Sequence, residues 1–139
     1  MGLFDKIKKK TQETEVQLSY EQFTKWLDGF MDHGFEEVVA LNFNLYEEGD
    51  AKWSVELVGT ASFDEDDDDW ACDEVFSNRE TPLVWEENAD WETILSKVQE
   101  FIRRYLEHGE YSDLMKDNQA VAVGFVDGDL EIVYRGKQL

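Results

Sequence analysis

The sequence predicts an α+β fold: an antiparallel sheet of about five strands with two main helices packed on one face, in the order helix, strand, strand, strand, helix, strand, strand. Three observations predict it. Two segments, 19–33 and 88–108, carry apolar residues at helical spacing between recognisable start and stop signals. Two more, 37–46 and 52–63, alternate in character across a short acidic turn, as the arms of a long hairpin do. A final pair of short runs flanks Asp127-Gly128, a two-residue hairpin turn.

Taken in order, residues 1–18 are basic and polar and are expected to be a flexible segment ahead of a single α+β domain over 19–139. Lys6, Lys8, Lys9 and Lys10 stand there beside Leu3, Phe4 and Ile7, so the segment either touches a membrane surface or rests on the domain. A myristoylation signal is excluded, because Lys6 occupies the Ser/Thr position. Ser19 and Gln22 form a capping box, and Phe23, Trp26, Leu27, Phe30 and Met31 form one stripe. Gly34 supplies the stop. Along the first strand Val39, Leu41, Phe43 and Leu45 share a face, leaving Ala40, Asn42 and Asn44 on a wetter one. Trp53, Val55, Leu57 and Gly59 do the same on the second strand. Trp70–Phe76 reads as a third strand with Trp70, Cys72 and Phe76 on its inner face, and Leu83–Trp85 as an edge piece started by Pro82. In the second helix, capped by Asn88 or Asp90 and stopped by Gly109, Trp91 opens a stripe that continues through Ile94, Val98, Ile102 and Tyr105. Glu100 and Arg104 can pair on its wet side. A helical turn is expected over 111–115, and hairpin strands over 120–126 and 129–135.

Composition bounds the function. With 139 residues, 42% hydrophobic and 14% aromatic, the chain can bury a real core and is not a disordered acidic tail. A net charge of −20 argues against nucleic acid and anionic membranes as direct partners and favours cationic proteins or metal ions. No secretory leader is visible and no stretch reaches membrane-spanning length. One cysteine, Cys72, allows no internal disulfide. The expectation is a cytoplasmic protein, bacterial in style.

The charge is concentrated. Thirteen acids lie between Asp64 and Glu92, opposed by Arg79 alone, and their centre is the uninterrupted run Asp64, Glu65, Asp66, Asp67, Asp68 and Asp69. Adjacent carboxylates repel, so the run costs folding free energy and calls for water or for something positive. A calcium loop begun at Asp64 would need Gly sixth and Glu twelfth, where this chain has Asp69 and Val75. Only weak, generic cation binding is expected, and no cofactor. Cys72 lies among Asp69, Asp73 and Glu74, which disfavour a thiolate, and no triad, phosphate loop, zinc spacing or dinucleotide fingerprint is present. The two histidines, His33 and His108, suit helix C-termini. A non-enzymatic protein is expected.

The partner-binding reading takes the six acids of the run, together with Asp73 and Glu74, as an imitation of a row of phosphates facing a basic cleft. Trp70 and Trp85 would be its aromatic anchors, whereas Trp91, on the helix stripe, is read as core. In size, charge, element order and the stretch Phe63-Asp64-Glu65-Asp66-Asp67-Asp68-Asp69-Trp70-Ala71-Cys72-Asp73-Glu74-Val75-Phe76, the chain resembles the small acidic immunity proteins of bacterial toxin–immunity systems. That resemblance implies a cytoplasmic inhibitor that neutralises a basic toxin or nuclease, and assigns no residue roles. The competing expectation is a generic cytoplasmic accessory or scaffolding domain, in which the acidic run is a solvated loop that guards a sheet edge.

Overall fold

A computed structural model of the chain describes residues 17–32 and 36–138. The proposed tether, up to residue 16, and the stop at Gly34 lie outside the described residues. The first helix, α1 (Tyr20–Met31), begins as its sequence dictates. The Ser19 hydroxyl accepts from the Gln22 amide at 3.1 Å, and the Gln22 side chain accepts from the Ser19 amide at 3.0 Å. Its stripe buries Phe23, Leu27 and Met31. The second helix, α2 (Trp91–His108), is capped by Asp90, whose carboxylate accepts from the Thr93 amide at 2.8 Å. A short third helix, α3 (Ser112–Lys116), follows. Tyr105, fully buried, joins the helices: its hydroxyl donates to Asp28 at 2.6 Å and accepts from the Tyr111 amide. Arg104 lies over the Tyr20 ring, 4.1 Å from its centre, rather than pairing with Glu100.

The sheet has six strands: β1 (Ala40–Gly49), β2 (Lys52–Thr60), β3 (Glu74–Ser77), β4 (Leu83–Glu86), β5 (Ala120–Phe125) and β6 (Glu131–Arg135). Its order is β3-β2-β1-β5-β6, with β4 also on β2, so β3 and β4 divide one edge between them. The expected hairpin of β1 and β2 is present, turning through Gly49, Asp50 and Ala51 at positive φ. The all-antiparallel expectation is corrected: β1 and β5 pair in parallel at the centre, with Phe43 opposite Val123. The sheet is therefore mixed. Burial rewards that arrangement, because a central strand flanked by β2 and β5 satisfies both rows of its backbone groups.

The register sorts the side chains. Leu41, Phe43 and Leu45 of β1, Val55 and Leu57 of β2, and Val121 of β5 share the face that α1 and α2 cover. The opposite face is small at one end (Ala40, Ala120, Ala122) and polar further along (Asn42, Asn44, Glu56). This face was expected to be wet. It is covered instead, because the acidic segment after β2 folds back across it.

Candidate functional site

That segment is an ordered arm. The Ala61 amide donates to the Asp73 carbonyl at 3.0 Å and closes its base. Asp64 accepts from the Asp66 amide at 2.9 Å, and Asp67 from the Asp69 amide at 3.0 Å, so two carboxylates form tight side-chain turns within the run. Asp67 thereby caps a short 3-10 helix, Asp68–Cys72, which stands where the start of a third strand was expected. Trp70 is only 4% exposed. It fills the recess over Ala40, Ala120 and Ala122, with the Phe63 ring edge-on at 5.2 Å. Arg135 at the end of β6 pairs with Glu65 and fastens the far side of the arm. All six acidic residues of the run are exposed on the arm. Among the described residues, Glu65 is the member of the run whose charge meets one of the chain's own bases.

Two sequence expectations are corrected here. Trp70 and Trp85 are not exposed anchors: both are core residues, Trp85 at 5% exposure and paired across strands with Trp53. Cys72 is not on an inner strand face; it is exposed on the 3-10 turn. Asp73 and Glu74 do sit beside the run, but Glu74 is engaged by Arg79 at 2.8 Å.

Beneath the arm lies a polar network that local pattern reading passed over. Glu56, 1% exposed, accepts from the Tyr46 hydroxyl at 2.6 Å, from Asn44 Nδ2 at 3.1 Å and from Arg79 Nε at 2.9 Å. Burial alone would raise its carboxyl, but these donors outweigh it and hold the group below the ordinary carboxylate value. Tyr46, raised by burial and by the Glu56 carboxylate to about 12, stays a donor at all ordinary pH. The charge fixes the polarity of the row. Asn44 turns its NH2 to Glu56, so its Oδ1 faces Asn42 and accepts from Asn42 Nδ2 at 2.8 Å. Asn42, 1% exposed, is left with Oδ1 buried and unpartnered. The signal that could have found this network is a lone Glu between Val55 and Leu57, opposite Asn-Phe-Asn on the neighbouring strand.

Replacing Glu56 by Ala strands two half-buried donors, Tyr46 and Asn44, and frees the exposed Arg79 to water, and the expected loss is about 2 kcal/mol in denaturant unfolding. The sign with pH follows from the lowered carboxyl. Its stabilisation is complete above the unfolded-state value and is lost as pH falls through the folded one. The stability difference between the native chain and Glu56→Gln should therefore narrow steadily as the medium is acidified below about pH 5. A difference that widens on acidification would contradict the assignment.

Beside the network, the β5–β6 turn separates two clefts. The smaller, about 400 Å³, lies between arm and turn, with Asn42 and Asn44 in its lining, Asp68 and Ala71 on the arm side, and Leu130 on the turn side. The larger, about 720 Å³, is a groove walled by Trp91, Leu95, Phe125 and Val126 and rimmed by Glu47, Asp127, Asp129 and Glu131. Tyr46, Phe125, Val126, Gly128 and Leu130 line both, so the two form one continuous surface. Gly124 sets the turn close against β5: a Cβ there would lie 2.5 Å from the Asp129 carbonyl oxygen. The helical stripe places Trp91 in the core, and the structure corrects this. Trp91 is 54% exposed, edge-on to Phe125 at 6.2 Å, because the first position of α2 overhangs the end of the sheet. Val126 beside it is 51% exposed.

Among the described residues no three His, Cys, Asp or Glu side chains converge to hold a metal ion, and no helix is long and apolar enough to cross a membrane. Comparison with known proteins returned no matching family model, curated protein or solved structure.

Proposed function

We infer that this chain is a non-enzymatic binding protein whose partner is a basic protein surface. The observation that carries the reading is the continuous face running from exposed Trp91, across the acid-rimmed groove and the β5–β6 turn, to the exposed acidic residues of the arm. An apolar centre within a charged rim is the anatomy of a protein contact. The partner that fits is one with arginines and lysines around an apolar patch. The rim then steers encounter and the Trp91 groove supplies the contact that lasts. Inhibition of a basic toxin or nuclease, the role of the immunity proteins that the sequence resembles, is the specific form of this function that we propose. The arm would occupy a cleft that normally receives phosphates.

The second reading, an accessory or scaffolding domain, has one observation in its favour: Trp70 and the Asp64 and Asp67 turns give the arm a structural task in covering the sheet. The two separate on replacing Asp66, Asp67, Asp68 and Asp69 together by Asn. In stopped-flow association with an oligoarginine peptide as the basic partner, the binding reading expects an on-rate lower by about tenfold at low salt and a flatter salt dependence. An unchanged rate and salt slope, with stability equal or higher, would leave the accessory reading in possession.

A further inference from the structure

Asn42, in the lining of the cleft between arm and turn, has a side-chain oxygen that is buried with nothing to accept. Asn42 is 1% exposed, lines the cleft, and cannot rotate its amide to escape, since Glu56 dictates Asn44 and Asn44 dictates Asn42. Burying an acceptor unpaired costs about 1–3 kcal/mol, so the group is expected to have a partner in the working state of the protein. Asp68, on the same lining, makes no ion pair among the described residues. Apolar residues of the β5–β6 turn complete the lining: Val126 and Leu130, with Phe125 at the end of β5. What fits an oxygen acceptor within, a carboxylate on one wall and apolar groups on another is a planar, forked, weakly hydrated cation. The chain's own Arg79 shows the local chemistry, paired through Nε and Nη2 with Glu56 and Glu74 in the lining of the same cleft.

We propose that this cleft is a guanidinium site, which receives an arginine side chain of the basic partner with its N–H groups on Asn42 Oδ1 and the Asp68 carboxylate. The proposal rests on the reading of the chain as a binder of basic proteins and names the residue class that it selects. A lysine ammonium carries no second donor in a fixed plane and keeps its water more tightly, so the site discriminates between two cations of equal charge.

The test uses Nα-acetyl-argininamide, with Nα-acetyl-lysinamide as control, titrated into the full chain while the side-chain amide resonances of Asn42 and Asn44 are followed by NMR. The expected result is saturable shifts of both amides with the arginine probe, at least fivefold weaker binding of the lysine probe, and loss of about tenfold in affinity on Asn42→Leu. Asp68→Asn, on the exposed wall where folding is not at stake, should lose about threefold. Equal weak binding of both probes, or arginine binding indifferent to both changes, would overturn the site. An oligoarginine peptide in stopped flow separates this failure from that of the reading beneath it. With the site present, Asn42→Leu speeds dissociation about tenfold and leaves the salt-steered on-rate alone. An unchanged off-rate overturns the cleft but spares the acidic surface. An on-rate indifferent to salt and to Asn at positions 66–69 overturns the acidic surface even where the small probe binds.

Discussion

Trp70→Ala should destabilise the protein by about 3–5 kcal/mol and release the acidic arm. The side chain is 4% exposed and is the largest group of the arm on the sheet, with Phe63 packed beside it, where Ala40, Ala120 and Ala122 leave a recess shaped by their small size. Truncation leaves a cavity that those alanines cannot close. It also removes the edge-on contact with Phe63 and uncovers the face bearing Asn42. Six adjacent like charges oppose the closed position, which Trp70 with Phe63 and Ala71, the Arg135–Glu65 pair and the Ala61–Asp73 bond hold against them. Losing Trp70 should let a protease that cuts after acidic residues cleave within 62–73 under conditions where the native chain resists. Added salt, by screening the arm, should recover part of the lost stability. A loss below about 1 kcal/mol with cleavage unaltered would show that the arm is held by something other than this tryptophan.

What could be read from the sequence was local. The capping box at Ser19, the cap at Asp90 and the alternation of Leu41, Phe43 and Leu45 each have a cause within a few residues, and each element is found where those causes put it. The parallel pairing of β1 with β5 has no such cause: Phe43 and Val123 are neighbours only because the intervening chain packs on the sheet. The errors at the site share an origin. Trp-Ala-Cys-Asp-Glu-Val-Phe alternates like a strand, but the side-chain turns of the run before it start a 3-10 helix, and only Glu74–Ser77 pairs with β2. Asn42 and Asn44 look like the solvent side of a strand because polar residues usually are. Their burial depends on an arm that lies twenty residues further on and whose charge marked it as solvated. The exposure of the tryptophans was inverted for the same reason. Acidic neighbours made Trp70 look like an interface, and helical spacing made Trp91 look like core. Tertiary position decided both the other way.

Trp91 is therefore where binding and stability should part. Trp91→Ala removes a ring that is 54% exposed and packs edge-on against Phe125, so unfolding free energy should fall by less than about 1 kcal/mol. Affinity for the basic partner should fall by at least about 2 kcal/mol, roughly thirtyfold, because an exposed tryptophan on the wall of an apolar groove with a polar rim contributes most once the contact excludes water. The loss should appear in the off-rate, since removing a neutral ring leaves the steering field of Asp127, Asp129, Glu131 and the arm intact. Trp91→Phe should restore much of the affinity, as a flat apolar ring is kept. The fourfold Asn replacement in the arm should show the opposite emphasis, mainly a slower on-rate, with the off-rate raised by no more than the roughly threefold that loss of the Asp68 carboxylate brings. If Trp91→Ala instead unfolds the protein as Trp70→Ala does, the ring is core after all. If affinity and off-rate are untouched, the groove is not the contact, and the binding face must be sought on the arm alone.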